Sequence, residues 1–503
     1  MVSASICSRL NVAVNRVLVG ESLRAKVARG GAWLGSGSFV EQVSRFARNM
    51  LLTRLLAPSA FGAMAIVLSS SSLVGSLSDV GLWPAVIRNP RGGEDAYLNA
   101  AWWLGMGRAI CIYAVIFATA PWVSRFYGID DLSELLRVAL LSIVFDGMIS
   151  PRSKLAQKEM KFGRWALISN GGGICGVILT IVLSLVLRDV RALAIGYCSE
   201  NAFRCLFSYI LFPGLPSLEW DRFAIRDLLK FSRGMFGLSF LNLIFARTDI
   251  FVLGKLYSPE ALGIYTMAVY LVQTPSSFLI NMLGTTLLPA FSHVRTETER
   301  VNRILSEVTS WIILLGLPAV VMIWQCGSSL LTVTYGVRYA TAAGVLAVAA
   351  TVTLLNTLNS LVTSLFYAAG RPALHRRAVA ASAVIMLIAI YPACKHLGLV
   401  GGQAAALLAI TVSYLLQVLR ARGIAGLSIL RYGKALVPAT VMSAGVLITI
   451  LVARALGLAT KPLANIAVAA AACTIAYVLC ILVFARIKGL AQRADTHPIA
   501  SQT

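Results

Sequence analysis

Charged residues are scarce in this chain, and acidic residues are scarcer than basic ones. Asp, Glu, Lys and Arg together make up 13% of the 503 residues, whereas a soluble domain has roughly 25%. Hydrophobic residues make up 58% of the sequence, and the mean hydropathy is +0.79. This composition excludes a soluble globular protein and indicates a chain that crosses the membrane several times.

Sequence motifs for metal binding, redox chemistry and nucleotide hydrolysis are also missing. The nine cysteines include no CxxC pair, and the four histidines show no metal-ligand spacing, so neither a metal nor a cofactor is predicted. No GxxxxGK[ST] phosphate-binding loop occurs, which argues against ATP-driven transport by this chain alone.

Basic residues outnumber acidic ones by 44 to 21, which gives a formal net charge of +23. Such an excess is typical of nucleic-acid binding proteins, but these residues lie mostly between apolar runs. Membrane topology therefore explains them, and no nucleic-acid partner is predicted.

A membrane-crossing helix needs about 20 mostly apolar residues, and fourteen segments meet this requirement. They are 31–53, 60–87, 97–120, 132–150, 165–187, 192–212, 231–254, 262–290, 304–326, 339–367, 378–394, 398–419, 435–453 and 463–485. The first twelve form two sets of six, and the last two have no counterpart. The sequence therefore predicts an all-α integral membrane protein with two pseudo-symmetric six-helix lobes and two C-terminal helices.

The distribution of basic residues sets the orientation of these segments. With the N-terminus in the cytoplasm, 29 Lys and Arg fall in the inside connections and 9 in the outside turns. Inside connections of membrane proteins are enriched in basic residues. Both termini are therefore predicted to be cytoplasmic, and the outside turns are too short to form a domain.

A helix end, a turn and a helix start occur twice, 201 positions apart. Arg54, Leu55, Pro58, Ala60 and Gly62 are matched by Lys255, Leu256, Pro259, Ala261 and Gly263. Internal repeats of this length are common in transporters. We interpret the two copies as one helical bundle repeated, with the copies facing each other.

The resulting domain organisation has six parts. They are a basic cytoplasmic extension rather than a signal peptide (1–29), an N-terminal lobe (30–212), a cytoplasmic linker with an interfacial helix (213–233), a C-terminal lobe (234–420), the last two helices (421–486) and a cytoplasmic tail (487–503).

Several predicted helices carry charges, which are costly at bilayer depth and invite a functional question. Five arginines are candidates for the lining of a cationic substrate-binding cavity between the lobes: Arg45, Arg48, Arg108, Arg204 and Arg247. Glu41–Arg45 and Glu200–Arg204 have i,i+4 spacing, so each is alternatively a self-neutralising pair that faces a partner helix. Basic residues inside the helices are all arginine, which binds phosphate and carboxylate oxygens in pairs, and this favours an anionic substrate.

Three acidic residues are candidates for gating or coupling. Asp249 corresponds to Arg48 in the repeat, so we expect the two to pair across the outer mouth of the cavity. Glu41 is the candidate residue for binding a proton. Glu200 is a further candidate for gating or coupling.

The chain resembles the polysaccharide transporters of the MOP (multidrug/oligosaccharidyl-lipid/polysaccharide) superfamily, which include the Wzx-type flippases. The resemblance rests on Arg45–Ala65 of the first helix and turn, Asp79–Leu82 with Arg88, Arg247–Asp249, Gly254–Leu256, Leu262–Tyr265 and Leu288–Phe291. The resemblance covers about residues 25–490. Beyond about residue 300, only the hydropathy pattern is similar.

This resemblance implies a V-shaped pair of lobes that works by alternating access. The implied substrate is an oligosaccharide on undecaprenyl pyrophosphate, moved across the bacterial inner membrane for exopolysaccharide, O-antigen or capsule biosynthesis. Coupling to a proton or sodium gradient or to the membrane potential is expected, as are membrane lipids, a polymerase and a chain-length regulator as partners.

Three alternatives remain open from the sequence. A lipid II flippase or a multidrug or cation antiporter of the same superfamily would have the same topology. A membrane polysaccharide polymerase or glycosyltransferase is the alternative from another class, but such enzymes are expected to display acidic or histidine residues in a sizeable outer loop. We therefore predict a transporter and not an enzyme.

Overall fold

The structure is a computed structural model of the chain. It describes residues 23–78, 86, 89–158, 162–217, 221–235, 238–294, 297–426, 436–458 and 461–495. Within these ranges the regular structure is helical, and no β-strand is present. The predicted all-α fold is confirmed.

Eleven helices are described up to Leu256. They are α1 (Leu23–Leu55), α2 (Pro58–Ser78), α3 (Asp95–Tyr127), α4 (Leu132–Leu140), α5 (Ser142–Gly147), α6 (Pro151–Lys158), α7 (Phe162–Ala166), α8 (Gly172–Leu187), α9 (Arg191–Leu211), α10 (Arg222–Met235) and α11 (Leu238–Leu256). A π turn, Leu167–Gly171, connects α7 to α8.

Seven more helices are described after Leu256. They are α12 (Pro259–His293), α13 (Thr298–Thr334), α14 (Ala343–Ala368), α15 (Pro372–Leu397), α16 (Val400–Ala425), α17 (Leu436–Ala455) and α18 (Pro462–Asp495). Proline is the first residue of α2, α12, α15 and α18, where its missing N–H costs no hydrogen bond and its fixed φ suits the helix.

Eight helices in the described part of the chain are long and apolar enough to cross a membrane, so this is a multi-pass membrane protein. Each of the fourteen predicted segments coincides with one or two described helices, but the number of crossings stays a prediction. The segment predicted at 132–150 is interrupted, because α4 ends at Leu140 and α5 begins at Ser142.

Some sequence predictions lie outside the described residues. These are most of the basic extension (1–22), the Asp79–Leu82 motif, Arg88 and the end of the C-terminal tail (496–503).

The contacts divide the chain into two compact units, Met1–Gly263 and Ile264–Thr503. The first unit includes α10 and α11 because α10 packs on α3 and α11 packs on α2. The predicted lobe bounds, 30–212 and 234–420, stay a prediction.

Within the first unit, the linker helix α10 lies on the beginning of α3. Ala224 and Leu228 are buried in one apolar cluster with Tyr97. Asp227 accepts hydrogen bonds from the Asn89 side-chain amide at 2.7 Å and from the Tyr97 hydroxyl at 3.0 Å. Apolar and polar contacts therefore both hold this helix to the first unit.

In the second unit, the two C-terminal helices pack on α13. Cys326 of α13, Ile450 of α17 and Cys473 of α18 are buried in one cluster. The sequence has no Asp or Glu between Glu307 and Asp495, so α14 to α17 contain no carboxylate side chain.

The two copies of the repeated turn lie against each other within the first unit. A Cβ atom added to Gly62 would lie 1.9 Å from the carbonyl oxygen of Pro259. A Cβ atom added to Gly263 would lie 1.8 Å from the carbonyl oxygen of Pro58. The contact is reciprocal, because each glycine faces the carbonyl oxygen of the proline in the other copy of the turn. Glycine is required at both positions because the backbones approach too closely for a side chain.

We expect Gly62→Ala and Gly263→Ala each to destabilise the protein by about 1–3 kcal/mol, because the new methyl group would overlap a backbone carbonyl that cannot rotate away. The measurement is the apparent melting temperature of the purified protein in detergent.

Matched controls exist on the same two helices. Apart from the backbone of its own helix, an added Cβ on Gly75 of α2 or on Gly284 of α12 would meet no atom within 4 Å. The alanine variants of both should therefore melt no lower than the wild type. Equal melting temperatures for all four variants would contradict the close approach of the two turns.

Candidate functional site

Four charged residues from two distant helices form one network in the first unit. Glu41 and Arg45 lie one turn apart on α1, and Glu200 and Arg204 lie one turn apart on α9. This i,i+4 spacing places each pair on one helix face, with the acid nearer the helix N-terminus. Helix α8 packs against both α1 and α9 and brings the two faces together.

The ion pairs of the network run both along and between the helices. Within the helices, an Arg45 guanidinium N–H group donates to Glu41 at 2.9 Å, and the Arg204 Nη2 atom lies 2.8 Å from Glu200. Between the helices, Arg204 donates to Glu41 at 3.1 Å, and Arg45 donates to Glu200. Each guanidinium group therefore contacts both carboxylates.

Glycines on α8 make room for this network. A Cβ atom on Gly173 would lie 2.8 Å from the Glu41 carboxylate, and one on Gly176 would lie 2.7 Å from the Glu200 Cβ. A Cβ atom on Gly172 would lie 2.4 Å from the Arg204 side chain. Only a helix surface without side chains lets the charged groups approach the backbone so closely.

The π turn before α8 supplies a further hydrogen-bond acceptor. The Arg204 Nε–H group donates to the backbone carbonyl of Ser169 at 3.1 Å, and Ser169 lies within the turn Leu167–Gly171. A π turn changes the helical hydrogen-bond pattern locally and is frequent at functional sites. The turn thus helps to fix the orientation of the Arg204 side chain.

The network lies beside the middle of a segment that is long and apolar enough to cross a membrane, and its formal charges sum to zero. Gly173 and Gly176 are near the centre of the apolar segment Gly163–Leu187. The Arg45 and Arg204 side chains are 21% and 24% exposed, whereas Glu200 is 5% exposed. The two guanidinium groups are therefore compensated by the carboxylates and remain partly exposed.

The remaining predicted site residues lie outside this network. Arg48 donates to the side-chain oxygen of Asn49 at 3.2 Å, and Asp249 is buried and accepts from the Ile250 amide at 2.9 Å. The Arg48–Asp249 pair stays a prediction. Arg108 on α3 and Arg247 on α11 are each half-buried.

Sequence reasoning paired the charges along each helix but missed α8, which has no Asp, Glu, Lys or Arg. The signal that it could have used is the run Gly171–Gly176, which contains four glycines. Small residues four apart, such as Gly172 and Gly176, mark close helix packing in membranes.

Metal-ion binding has no structural support in the described part of the chain. No group of three or more His, Cys, Asp or Glu side chains is placed there to hold a metal ion. The cysteines that the structure describes are free thiols, and most of them are buried.

Comparison with known protein families gives a match over more than half of the chain. The family model described as polysaccharide biosynthesis protein matches residues 51–344. Among curated relatives, the lipopolysaccharide biosynthesis protein WzxC of Escherichia coli is 22% identical over 400 residues, which is 78% of this chain and 79% of that protein. The succinoglycan biosynthesis transport protein ExoT of Rhizobium meliloti is 22% identical over 299 residues, 59% of this chain and 60% of that protein.

Among solved structures, the fold is similar to that of the lipid II flippase MurJ in an inward closed conformation. The TM-score is 0.73 at 13% sequence identity, and the match covers 90% of this chain and 99% of that one. The fold is also similar to that of a multidrug resistance MATE family transporter of the MOP superfamily in an inward-facing conformation, with a TM-score of 0.57 at 13% identity over 76% of this chain and 95% of that one.

We expect Glu200→Gln to lower the free energy of unfolding by about 3–5 kcal/mol, because two part-buried guanidinium groups would lose a charged partner. Denaturant unfolding in detergent measures the change. The control is Glu134→Gln, since Glu134 pairs with Arg191 at 3.0 Å where both side chains are about half exposed, and such pairs contribute about 1 kcal/mol or less.

A double variant separates charge compensation from a local packing effect. Glu200→Gln with Arg204→Gln should be destabilised by less than the sum of the single changes. A Glu200→Gln effect no larger than that of Glu134→Gln would show that the network contributes little to stability.

Proposed function

Because the chain belongs to the family of polysaccharide biosynthesis proteins, we propose that it moves a lipid-linked oligosaccharide across the cytoplasmic membrane of a bacterium. The oligosaccharide would be a repeat unit carried on undecaprenyl pyrophosphate and used to build a surface polysaccharide. The function is transport and not catalysis, in line with the relatives named as a flippase and as a transport protein.

The observation that carries the proposal is the pair of arginines in the charge network. Arg45 and Arg204 point their guanidinium groups at the same two carboxylate oxygens and stay partly exposed. Two guanidinium groups that converge in this way suit a phosphate or pyrophosphate, which accepts paired N–H donors in the same manner as a carboxylate. The pyrophosphate of the lipid carrier has this chemistry.

In the proposed transport cycle, the pyrophosphate and sugar pass through the protein while the lipid tail stays in the bilayer. Both termini would lie in the cytoplasm, and alternating access would expose the site first to the inner side and then to the outer side. Arg48, Arg108 and Arg247 would add positive charge along the path. A proton or sodium gradient, or the membrane potential, would drive the cycle.

A lipid II flippase is the second candidate function, and the MurJ-like fold favours it. Lipid II is also a sugar on a polyprenyl pyrophosphate, so the same arginines would serve. The two functions differ in which lipid-linked sugar the protein would transport, a polysaccharide repeat unit or lipid II. The polymerase and chain-length regulator of a polysaccharide pathway would be partners only in the first case.

Deleting the gene should cause the lipid-linked repeat unit to accumulate on the cytoplasmic side and should abolish the surface polysaccharide. A plasmid with the wild-type gene should restore export, whereas Arg45→Gln and Arg204→Gln should reduce it by at least about tenfold, because each removes a charged hydrogen bond to the pyrophosphate. Mass spectrometry of the lipid-linked sugars and quantification of the polysaccharide provide the readout.

Arg338→Gln is the control, since Arg338 is exposed in the short turn before α14, and this variant should export normally. Accumulation of lipid II instead of a repeat unit would favour the second candidate. Normal polysaccharide and normal lipid-linked sugars in the deletion strain would contradict both.

The proposed Arg48–Asp249 gate is tested by exchanging the two charges. Arg48→Asp and Asp249→Arg should each abolish export, because each places two like charges at the outer mouth. The double variant should recover a substantial part of the export, since it restores one charge of each sign. Polysaccharide yield at matched membrane expression measures this, and a double variant as inactive as the single ones would show that the residues do not pair.

A further inference from the structure

The two carboxylates of the charge network occupy the positions that a bound anion would take. The Oε1 atom of Glu41 accepts from Arg45 at 2.9 Å and from Arg204 at 3.1 Å. The Oε1 atom of Glu200 lies 2.8 Å from Arg204 and also accepts from Arg45. Each oxygen therefore bridges both guanidinium groups, as a phosphate oxygen would.

The two glutamates are held in different ways. Glu200 approaches α8 through its backbone, since its Cα and Cβ atoms lie 2.8 and 2.7 Å from the position of a Cβ added to Gly176. Glu41 approaches α8 through its carboxylate, since its Oε1 atom lies 2.8 Å from the position of a Cβ added to Gly173. Its side chain is 14% exposed, against 5% for Glu200. Glu41 is therefore the more accessible of the two carboxylates, and the one that a ligand can reach more easily.

We propose that Glu41 is a displaceable counter-ion, an inference that rests on the proposed function. A pyrophosphate diester replaces the Glu41 carboxylate between Arg45 and Arg204, while Glu200 stays in place. The displaced carboxylate takes up one proton from the surrounding water and becomes a neutral carboxylic acid. No other bond forms or breaks.

Charge compensation is the physical reason for the proton uptake. The empty network is neutral, with two guanidinium groups and two carboxylates. A pyrophosphate diester adds two negative charges, and an unpaired carboxylate beside them in the membrane is costly. Protonation of Glu41 removes one of the excess charges. Binding therefore takes up a proton and strengthens as the pH falls.

The charged surroundings of Glu41 support this assignment. Among the described residues, α9 contributes Glu200 and Arg204, and α1 itself contributes Arg45 and Arg48. From α7 comes Arg164, whose guanidinium group lies over the ring of Phe212. Helix α8 contributes a single titratable side chain, Cys175. The charged residues around Glu41 are therefore mostly arginines, and Glu41 is more exposed than the other carboxylate, Glu200.

This exchange also explains why the site contains carboxylates at all. Arginines without counter-ions would bind a polyanion tightly and release it slowly. When the Glu41 carboxylate loses its proton and returns, it competes with the substrate for the same N–H groups. Binding and release are then linked to one proton, and the coupling belongs to the substrate site itself.

The test uses the full-length protein in detergent and geranyl diphosphoglucose as a probe. This probe is a soluble pyrophosphate diester whose charge is constant over the working range. Isothermal titration calorimetry gives its affinity between about pH 5 and about pH 8. For the wild type, the affinity should rise as the pH falls, by up to about tenfold per pH unit.

Glu41→Gln should bind the probe about tenfold more tightly than the wild type near pH 7, because the competing charge is gone. Its affinity should not change with pH, and it should transport poorly because the bound anion is not displaced. Glu41→Asp keeps the carboxylate and should keep the pH dependence. Glu134→Gln, which alters an exposed ion pair with Arg191, should behave like the wild type.

Melting temperatures of all variants are measured first, and Glu41→Asp keeps the test informative if Glu41→Gln does not fold. Weaker binding by Glu41→Gln, or a wild-type affinity that does not change with pH, would overturn the counter-ion exchange while leaving the transport function in place. If neither the wild type nor any variant binds the probe, the exchange is overturned. If deletion also leaves the polysaccharide unchanged, the proposed function fails as well.

Discussion

The cost of a charge inside the membrane determines how the first unit is built. The charge network is tolerable in apolar surroundings because every charge has two partners of opposite sign. Its members are Glu41, Arg45, Glu200 and Arg204. These contacts require α1 and α9 to lie close to α8, and the glycines of α8 make that approach possible. Charge compensation in the network therefore depends on close helix packing. The packing in turn depends on the glycines of the apolar helix α8, which leave space for the charged side chains.

The two units differ in their chemistry. No carboxylate side chain occurs from α14 to α17, so those helices cannot build a network like that of the first unit. Their exposed arginines lie near helix ends, for example Arg376 and Arg377 at the start of α15, where the charged groups can reach water. Among the described residues, the four-residue charge network is therefore a feature of the first unit.

Hydropathy was sufficient to predict an all-α membrane fold, because a long apolar run reflects the solvent around a whole helix. The i,i+4 spacing predicted the Glu41–Arg45 and Glu200–Arg204 pairs, because this pattern is local. The contacts between the pairs join residues 155 and 163 positions apart, and no local pattern specifies such a distance. The π turn at Leu167–Gly171 was not predicted either. Its sequence is compatible with an ordinary helix.

The reciprocal contact of Gly62 with Pro259 and of Gly263 with Pro58 bears on the ancestry of the chain. If the repeat arose by fusion of two identical genes, the unfused ancestor would have formed a homodimer through this same turn, in an isologous contact. One glycine would then have served both sides of the interface, and a single mutation would have introduced two clashes at once. After fusion the two glycines became separate genetic positions, yet the geometry still requires the same residue at both.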